Sequence, residues 1–373
     1  MTPTTITLVA GARPNFMKIA PLIRAFRKRT DRVRHRLVDT GQHSDPTMNR
    51  VFFDELGIPE PDVRLEGAGR SQAEVTARVM VAMEAELQQH PAQGVLVVGD
   101  VNSTLAAAVS AKKLHLPLIH VEAGLRSGDR NMPEEINRLA TDAITDLFFV
   151  TEPSGQEALL REGHPASRIH FVGNVMIDNL FHQIGRLRAD PAAGGRGAAL
   201  RAGLGDRPYG VVTLHRPSNV DHPEQLAALV DTLRTLASDL PLVFPVHPRT
   251  RSNLSRFGID LGPNIHTTTP LSYMEFLCLW KDAEIILTDS GGLQEESSAV
   301  GVRCVTLRDS TERPVTITDG TNILAGTNPA RILDVARTAL AQPASGKRPL
   351  LWDGRAAERI LDVIVDSPLF QPV

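Results

Sequence analysis

At 373 residues the chain is long for one hydrophobic core, so two domains are the first expectation. Hydrophobic residues at 42% and charged residues at 22% fit an ordinary globular protein, and 40 basic against 43 acidic side chains leave a net charge of -3. That balance argues against a nucleic-acid or anionic-membrane surface, so any bound anion must be met by locally placed cations.

The start "MTPTTITLVAG" lacks a basic head and a long apolar stretch, and no apolar run reaches the ~20 residues of a membrane span; the expected location is cytoplasmic. From there apolar strand-like runs alternate with amphipathic helical patterns along the whole chain, which predicts parallel α/β sheets. "TITLVA" is followed by "GARPNFMKIAPL", which sets Arg13 and Lys18 at the start of a helix. "RHRLVDT" leads to Gln42 and His43, and "SQAEVTARVMVAMEAELQQH" has helical spacing. "GVLVVGD" ends on Asp100 ahead of Asn102 and Ser103, "PLIHVEA" carries Glu122, and Pro133 opens a helix with Glu134 in its first turn. "LFFVT" and "IHFVGN" complete the first half.

The run "GNVMIDNLFHQI" is expected to carry the crossing between domains, with the hinge near residue 174, and "RADPAAGGRGAALRAGLGDRPYG" at 188–210 reads as loop-rich. Strands follow at "YGVVTLH", "LVFPVH", "NIHTTT", "EIILTD" and "RCVTLR", with a helical pattern at "HPEQLAALVDTLRTLASDL". The last helix, "GRAAERILDVIVD", has no strand after it and is expected to pack back on the first domain. The division is therefore 1–174, with 354–373 returning to it, and 175–353. Cys278 and Cys304 sit in apolar runs and read as reduced core thiols, and Trp280 and Trp352 read as core.

Ligands of open α/β sheets bind outside the carboxyl ends of the strands, so the polar residues just past each apolar run are the candidates. Ser290, Gly291 and Gly292 follow "EIILTD" and open a helix whose free amides suit a diphosphate; a plain turn is the alternative. Glu296 lies about one turn on, placed to accept from ribose hydroxyls, and Arg313 is set to balance phosphate charge. Asp100 reads either as a helix cap or as a site acid, and Glu134 either as a dipole complement or as a site acid. Glu122 has the stronger claim, because a buried strand end seldom carries an unpaired carboxylate. His215 beside Arg216 favours a phosphate or acid/base role, while His247 before Pro248 and Arg249 is open. No strand-linked G-x-G-x-x-G and no G-x-x-x-x-G-K-[ST] occurs, so no cofactor is expected.

Together these motifs resemble the non-hydrolysing UDP-N-acetylglucosamine 2-epimerases. The likeness runs through "GARPNFMKIAPL", "TGQH", "VVGDVNSTLAA", "HVEAGLRSGDRNMPEEINR", "GNVMIDNL", "TLHRPSN", "LTDSGGLQEE" and "RDSTERPV", in that family's order. The resemblance implies two Rossmann-like domains of the GT-B type with the ligand in the interdomain cleft, a homodimer, and a UDP-sugar substrate. It implies Asp100, Glu122, Glu134 and His215 as the catalytic set. It implies Arg13, Lys18, Arg138, Leu271, Phe276, Ser290, Gly291, Gly292, Glu296 and Arg313 as the substrate-binding set, with Leu271 and Phe276 against uracil. Gln42, His43 and Arg70 fall where many bacterial members bind an activating second UDP-GlcNAc. The opening departs from the commoner family version, which has Thr for Ala12 and Glu-Ala for Asn15-Phe16. A related branch acting on 3-acetamido uronic acid sugars opens like this chain.

The implied activity is interconversion of UDP-GlcNAc and UDP-ManNAc. The C2 hydrogen of the sugar has no adjacent carbonyl, so simple deprotonation is too costly. Elimination of UDP to 2-acetamidoglucal, then re-addition after protonation from the other face, requires carboxylates near C2 and cations around the leaving diphosphate. The competing readings are an epimerase for a modified UDP-sugar, a hydrolysing epimerase and a GT-B glycosyltransferase.

Overall fold

The computed structural model describes residues 3–42, 53–343 and 347–370, and within them the chain forms two compact α/β units. Met1–Leu180 together with Leu351–Val373 make the first, and Phe181–Leu350 the second.

In the first unit β1 (Thr4–Ala10), β2 (Val33–Asp39), β3 (Val63–Arg64), β4 (Gly94–Val98), β5 (Leu118–Val121), β6 (Leu147–Val150) and β7 (Ile169–Phe171) form one parallel sheet. Its order is β3-β2-β1-β4-β5-β6-β7, so the winding reverses between β1 and β4. Side chains alternate across the sheet. Ile6 and Leu8 of β1 join a core with the helices Arg13–Arg27 and Ala356–Asp366, while Val9 joins Val79, Met83 and Ala107 on the opposite face. A strand covered on both faces must be apolar throughout, which is why the strands of this chain read as unbroken runs.

The second unit repeats the plan with β8 (Gly210–Thr213), β9 (Leu242–Pro245), β10 (Ile265–Thr268), β11 (Ile285–Thr288), β12 (Arg303–Thr306) and β13 (Asn322–Leu324). All pairs are parallel, in the order β10-β9-β8-β11-β12-β13, and here the reversal lies between β8 and β11. Open sheets of this kind hold ligands beyond the strand ends at the reversal. The segments following β1, β4, β8 and β11 are therefore the ones to inspect. Both tryptophans are buried, and Cys278 and Cys304 are buried free thiols.

Three features differ from the sequence reading. The division falls after Leu180 instead of near 174, because the first turns of the helix Val175–Ala189 are built into the first unit. Val175 sits in its core, and the Asp178 carboxylate accepts the backbone N–H groups of Ala356 (3.0 Å) and Ala357 (2.7 Å), capping the last helix. The return crossing is likewise at Leu351, just before Trp352, whose indole N–H donates to the Thr151 carbonyl at 3.0 Å.

Second, the supposedly loop-rich 188–210 contains the helix Gly195–Gly203. Gly197 serves packing: a Cβ there would overlap the Glu275 carbonyl of the helix Tyr273–Trp280. Arg196 forks onto the Glu275 carboxylate beside that contact. Third, the short edge strands β3 and β13 carry too few apolar residues to register as runs.

Gly197→Ala should therefore separate the two helices and lower stability by roughly 1–3 kcal/mol. Urea unfolding followed by the fluorescence of buried Trp280 measures this, and an unchanged midpoint would contradict the close packing.

Candidate functional site

In the first unit the residues past β1, β4 and β5 form one connected polar cluster. Asn15 latches the first turn: its Oδ1 accepts the N–H groups of Gly11 (3.4 Å) and Ala12 (3.1 Å), and its Nδ2 donates to the Val98 carbonyl of β4 (2.9 Å). This fixes the start of the helix Arg13–Arg27, where Arg13 is partly exposed and Lys18 buried. Lys18 is ion-paired with Glu122. Gly99 turns the chain after β4 with φ of 66°, and a Cβ there would approach the Lys18 Nζ to 3.0 Å.

Glu122 is 5% exposed and takes φ of 71°, a left-handed conformation that costs a non-glycine residue about 1–3 kcal/mol. Such strain persists only where the surroundings impose it. Asp100 is gripped by Arg138, whose Nε and second guanidinium nitrogen donate to one carboxylate oxygen at 3.0 and 2.7 Å. The remaining Arg138 nitrogen donates to Glu135 at 2.6 Å. Asn137 Nδ2 adds bonds to the Asp100 carbonyl (2.9 Å) and Asn102 Oδ1 (3.2 Å).

Glu134 stands exposed at the first turn of the helix Pro133–Ala143. Its neighbour Glu135 is buried and accepts the N–H groups of Ser127 (3.0 Å) and Gly128 (3.1 Å), which ties down the loop before the helix. Burial pushes the Glu135 carboxyl up, but these amides and Arg138 outweigh it and hold it below its ordinary value.

Of the residues considered for an activator, Gln42 accepts from the Ser103 N–H (3.2 Å) and hydroxyl (2.6 Å), so it is engaged with the β4 turn. Arg70 is exposed, and its N–H donates to Glu74 at 2.8 Å. His43 lies outside the described residues.

The second unit offers a different surface. The helix Gly291–Val300 begins after β11 with no side-chain cap at Ser290, and a Cβ built on Gly291 meets nothing. The first amides of this helix have no side-chain cap from Ser290, the condition under which a helix start can serve an anion. One turn on, Glu296 is buried and accepts from the Tyr273 hydroxyl at 2.8 Å. Burial, reinforced by Glu295 and only partly offset by that hydroxyl, pushes the Glu296 carboxyl up to about 7. Arg313 Nε donates to Glu295 at 2.8 Å, and Leu271 and Phe276 are partly exposed around the helix that carries Tyr273.

His215 follows β8, 43% exposed at its side chain, with Nδ1 bonded to the buried Asp289 at 2.8 Å. The Asp289 carboxylate also accepts the N–H groups of His215 (3.0 Å) and Arg216 (2.9 Å), so it binds the loops after β8 and β11 together. Burial opposes its ionisation, but His215 and these amides hold its carboxyl below the usual range. With Nδ1 occupied, Nε2 is the working end of the His215 ring. His247 is near, with ring centroids 5.9 Å apart. Asn15, His120, Glu135, Asp142 and Asp289 were not among the candidate site residues, although all but Asp142 lie inside the quoted motifs; Asp289, at the end of an apolar strand, carried the clearest signal.

The UDP-N-acetylglucosamine 2-epimerase family profile matches residues 25–365. The UDP-N-acetylglucosamine 2-epimerase of Methanocaldococcus jannaschii is 36% identical over 96% of this chain and 98% of its own length. The UDP-2,3-diacetamido-2,3-dideoxy-D-glucuronate 2-epimerase of Pseudomonas aeruginosa is 37% identical over 96% and 99%. The crystal structure of the M. jannaschii UDP-GlcNAc 2-epimerase in complex with UDP-GlcNAc and UDP matches with a TM-score of 0.85 at 35% identity, covering 98% of this chain and all (100%) of that one. MurG of Acinetobacter baumannii, at 13% identity and a TM-score of 0.56, shares the fold alone. The architecture is thus two Rossmann-like domains of the GT-B type, and the chain belongs to the UDP-N-acetylglucosamine 2-epimerase family.

Proposed function

We propose that this protein is a non-hydrolysing UDP-N-acetylglucosamine 2-epimerase that interconverts UDP-GlcNAc and UDP-ManNAc by elimination and re-addition of UDP. The observation that carries the reading is the pair of acids after β4 and β5, Asp100 at the sheet's reversal held by Arg138 and Glu122 on the neighbouring strand held by Lys18. Asp100, Glu122 and exposed Glu134 share the removal and return of the C2 proton. Arg13 and Lys18 supply positive charge beside the sugar. The uncapped Gly291 helix, Arg313 and His215 hold the diphosphate as it leaves C1; Glu296 takes the ribose, and Leu271 and Phe276 flank the uracil. The electron pair of the C2–H bond becomes the C1–C2 double bond of 2-acetamidoglucal as the C1–O bond breaks. Reprotonation at C2 from the other face and return of UDP to C1 complete the inversion.

A modified sugar is the second reading, supported by the 37% identity to the P. aeruginosa diacetamido-glucuronate epimerase. The homodimer belongs to the proposal too. Ala73, Ala77, Val81 and Ala85 recur along an exposed face of the helix Gln72–Gln89, with Val81 71% exposed, and a second copy would cover them. Light scattering should give twice the chain mass, and Val81→Glu should shift it toward the monomer.

In deuterated water, UDP-GlcNAc should gain deuterium at C2 and yield UDP-ManNAc without stoichiometric UDP release. Absence of exchange removes the elimination reading, and free ManNAc marks a hydrolysing enzyme. Running the diacetamido-glucuronate substrate in parallel decides between the sugars. Asp100→Asn and Glu122→Gln should each lower kcat by about 10²–10⁴-fold, with UDP affinity retained because UDP is held by the other unit.

Glu296 adds a pH dependence. Its carboxyl sits near 7, so above that pH it is a carboxylate able to accept from both ribose hydroxyls, and below it carries a proton and loses acceptor capacity. UDP affinity measured by calorimetry should therefore weaken as the pH falls through about 7, and that step should vanish in Glu296→Gln. A step that persists unchanged in the variant would assign it to the phosphate alone.

A further inference from the structure

Two buried groups in the first unit have no place in the mechanism above. His120, on β5, is completely buried. Its Nε2–H donates to the Gly99 carbonyl at 2.9 Å, since a carbonyl only accepts. Its Nδ1 meets Asp142 Oδ1 at 2.6 Å, also with no exposure. Burial pushes the Asp142 carboxyl up, but His120 and Arg126 overcome it and keep the group ionised. The 2.6 Å contact between Nδ1 and Asp142 Oδ1 is a hydrogen bond through one proton, so both ring nitrogens are engaged and the pair is buried as a unit. The second Asp142 oxygen accepts the Gly124 N–H at 3.0 Å and pairs with Arg126 at 2.8 Å.

Where these bonds end is informative. Gly99 immediately precedes Asp100, and Gly124 lies two residues past the strained Glu122. Asp142 belongs to the same helix, Pro133–Ala143, that delivers Arg138 to Asp100. A buried hydrogen-bonded polar pair is no bargain in stability over well-packed apolar side chains. A strand residue in that position could be another valine, like those of β4. What the pair provides that a valine could not is a fixed hydrogen-bonded link between the two turns that present the acids.

We propose that His120 and Asp142 are positioning residues for the epimerisation, locking the Gly99–Asp100 turn and the Glu122–Gly124 turn at a set separation so that the two acids address one carbon from fixed directions. His120 secures the Asp100 side and Asp142 the Glu122 side, including its left-handed backbone. The inference rests on the proposed epimerase activity.

Wild-type enzyme is assayed first: failure to form UDP-ManNAc or the diacetamido-glucuronate product strikes the functional reading itself, whereas an active wild type leaves the positioning role to be decided by variants. His120→Asn keeps an amide donor toward Asp142 but falls short of the Gly99 carbonyl. It should lower kcat by about a hundredfold while KM and UDP affinity stay within about twofold, the pattern of displaced reacting groups. It should also release free UDP and the glucal during turnover, because the intermediate outlives a misplaced proton donor. His120→Gln places its amide nitrogen where Nε2 stood and should recover about tenfold of the lost kcat. Asp142→Asn leaves an acceptor for Nδ1 but presents a donor toward Gly124 or Arg126, and should lower kcat to a similar extent.

Near-wild-type kcat in the His120 and Asp142 variants overturns the proposal. So does a kcat loss matched by an equal loss of UDP affinity and melting temperature, with neither leakage of intermediate nor recovery in the glutamine variant, which would mark the pair as ordinary scaffold. If the His120 variants do not fold, Asp142→Asn decides by the same three readouts.

Discussion

A charge removed from water costs several kcal/mol unless a partner goes with it, and this cost determines what surrounds each acid beyond the two sheets. Glu122 is paired with Lys18, Asp100 and Glu135 share Arg138, Asp142 has His120 and Arg126, and Glu295 has Arg313. Glu312, paired with Arg308, is pushed down to about 2 against the opposing effect of burial. Glu296 stands apart. It is buried like Glu122 and Glu135, yet its partner is a neutral hydroxyl, and its carboxyl rises to about 7. An acid left short of donors inside a fold is a place where a ligand's hydroxyls complete the shell, and that is the role its position one turn into the uncapped helix suggests.

The sequence made the strands legible because sheets covered on both faces demand uninterrupted apolar runs. Eleven such runs were read and all are strands, whereas β3 and β13, two and three residues long, left too short a trace. The glycines of 194–203 misled because glycine signals a turn in most contexts, and here Gly197 permits two helices to touch. The site residues immediately past strands could be picked out singly, since acid or base at the end of an apolar run is conspicuous. Their partners could not. His120 sits within "PLIHVEA" as one polar residue in a strand, and Asp142 lies near the far end of a helix. Nothing in spacing along the chain reveals that the helix following β5 brings the two to 2.6 Å. Glu135 was overlooked for a related reason: of two adjacent acids, only the helix phase decides which one faces inward.

Asn15 shows how a departure from the commoner family opening is accommodated. Its amide accepts from two backbone N–H groups and donates to the Val98 carbonyl, tying β1 to β4. A carboxylate at the same position could accept but not donate, and it would bring a second negative charge toward Lys18 and Glu122. The neutral latch leaves the Lys18 charge answering Glu122. This bears on which sugar fits, because a uronic acid carries its own negative charge, and a local excess of acid would repel it.

Under the proposed reaction the two units meet opposite physical demands, and the difference follows from elimination chemistry. Proton transfer at a carbon centre demands acids whose direction does not wander, and direction is secured by burial, paired cations and a backbone forced into a strained conformation at Glu122. The nucleotide must instead be released from carbon and recaptured without leaving, which calls for diffuse positive potential and exposed, adjustable contacts. The helix start beyond Ser290, without a side-chain cap, and the half-exposed His215, held through its Nδ1, have that character. Exchanging these properties would defeat the reaction: a rigidly matched diphosphate site would hold UDP away from carbon, and mobile acids would let the glucal escape before its proton returned.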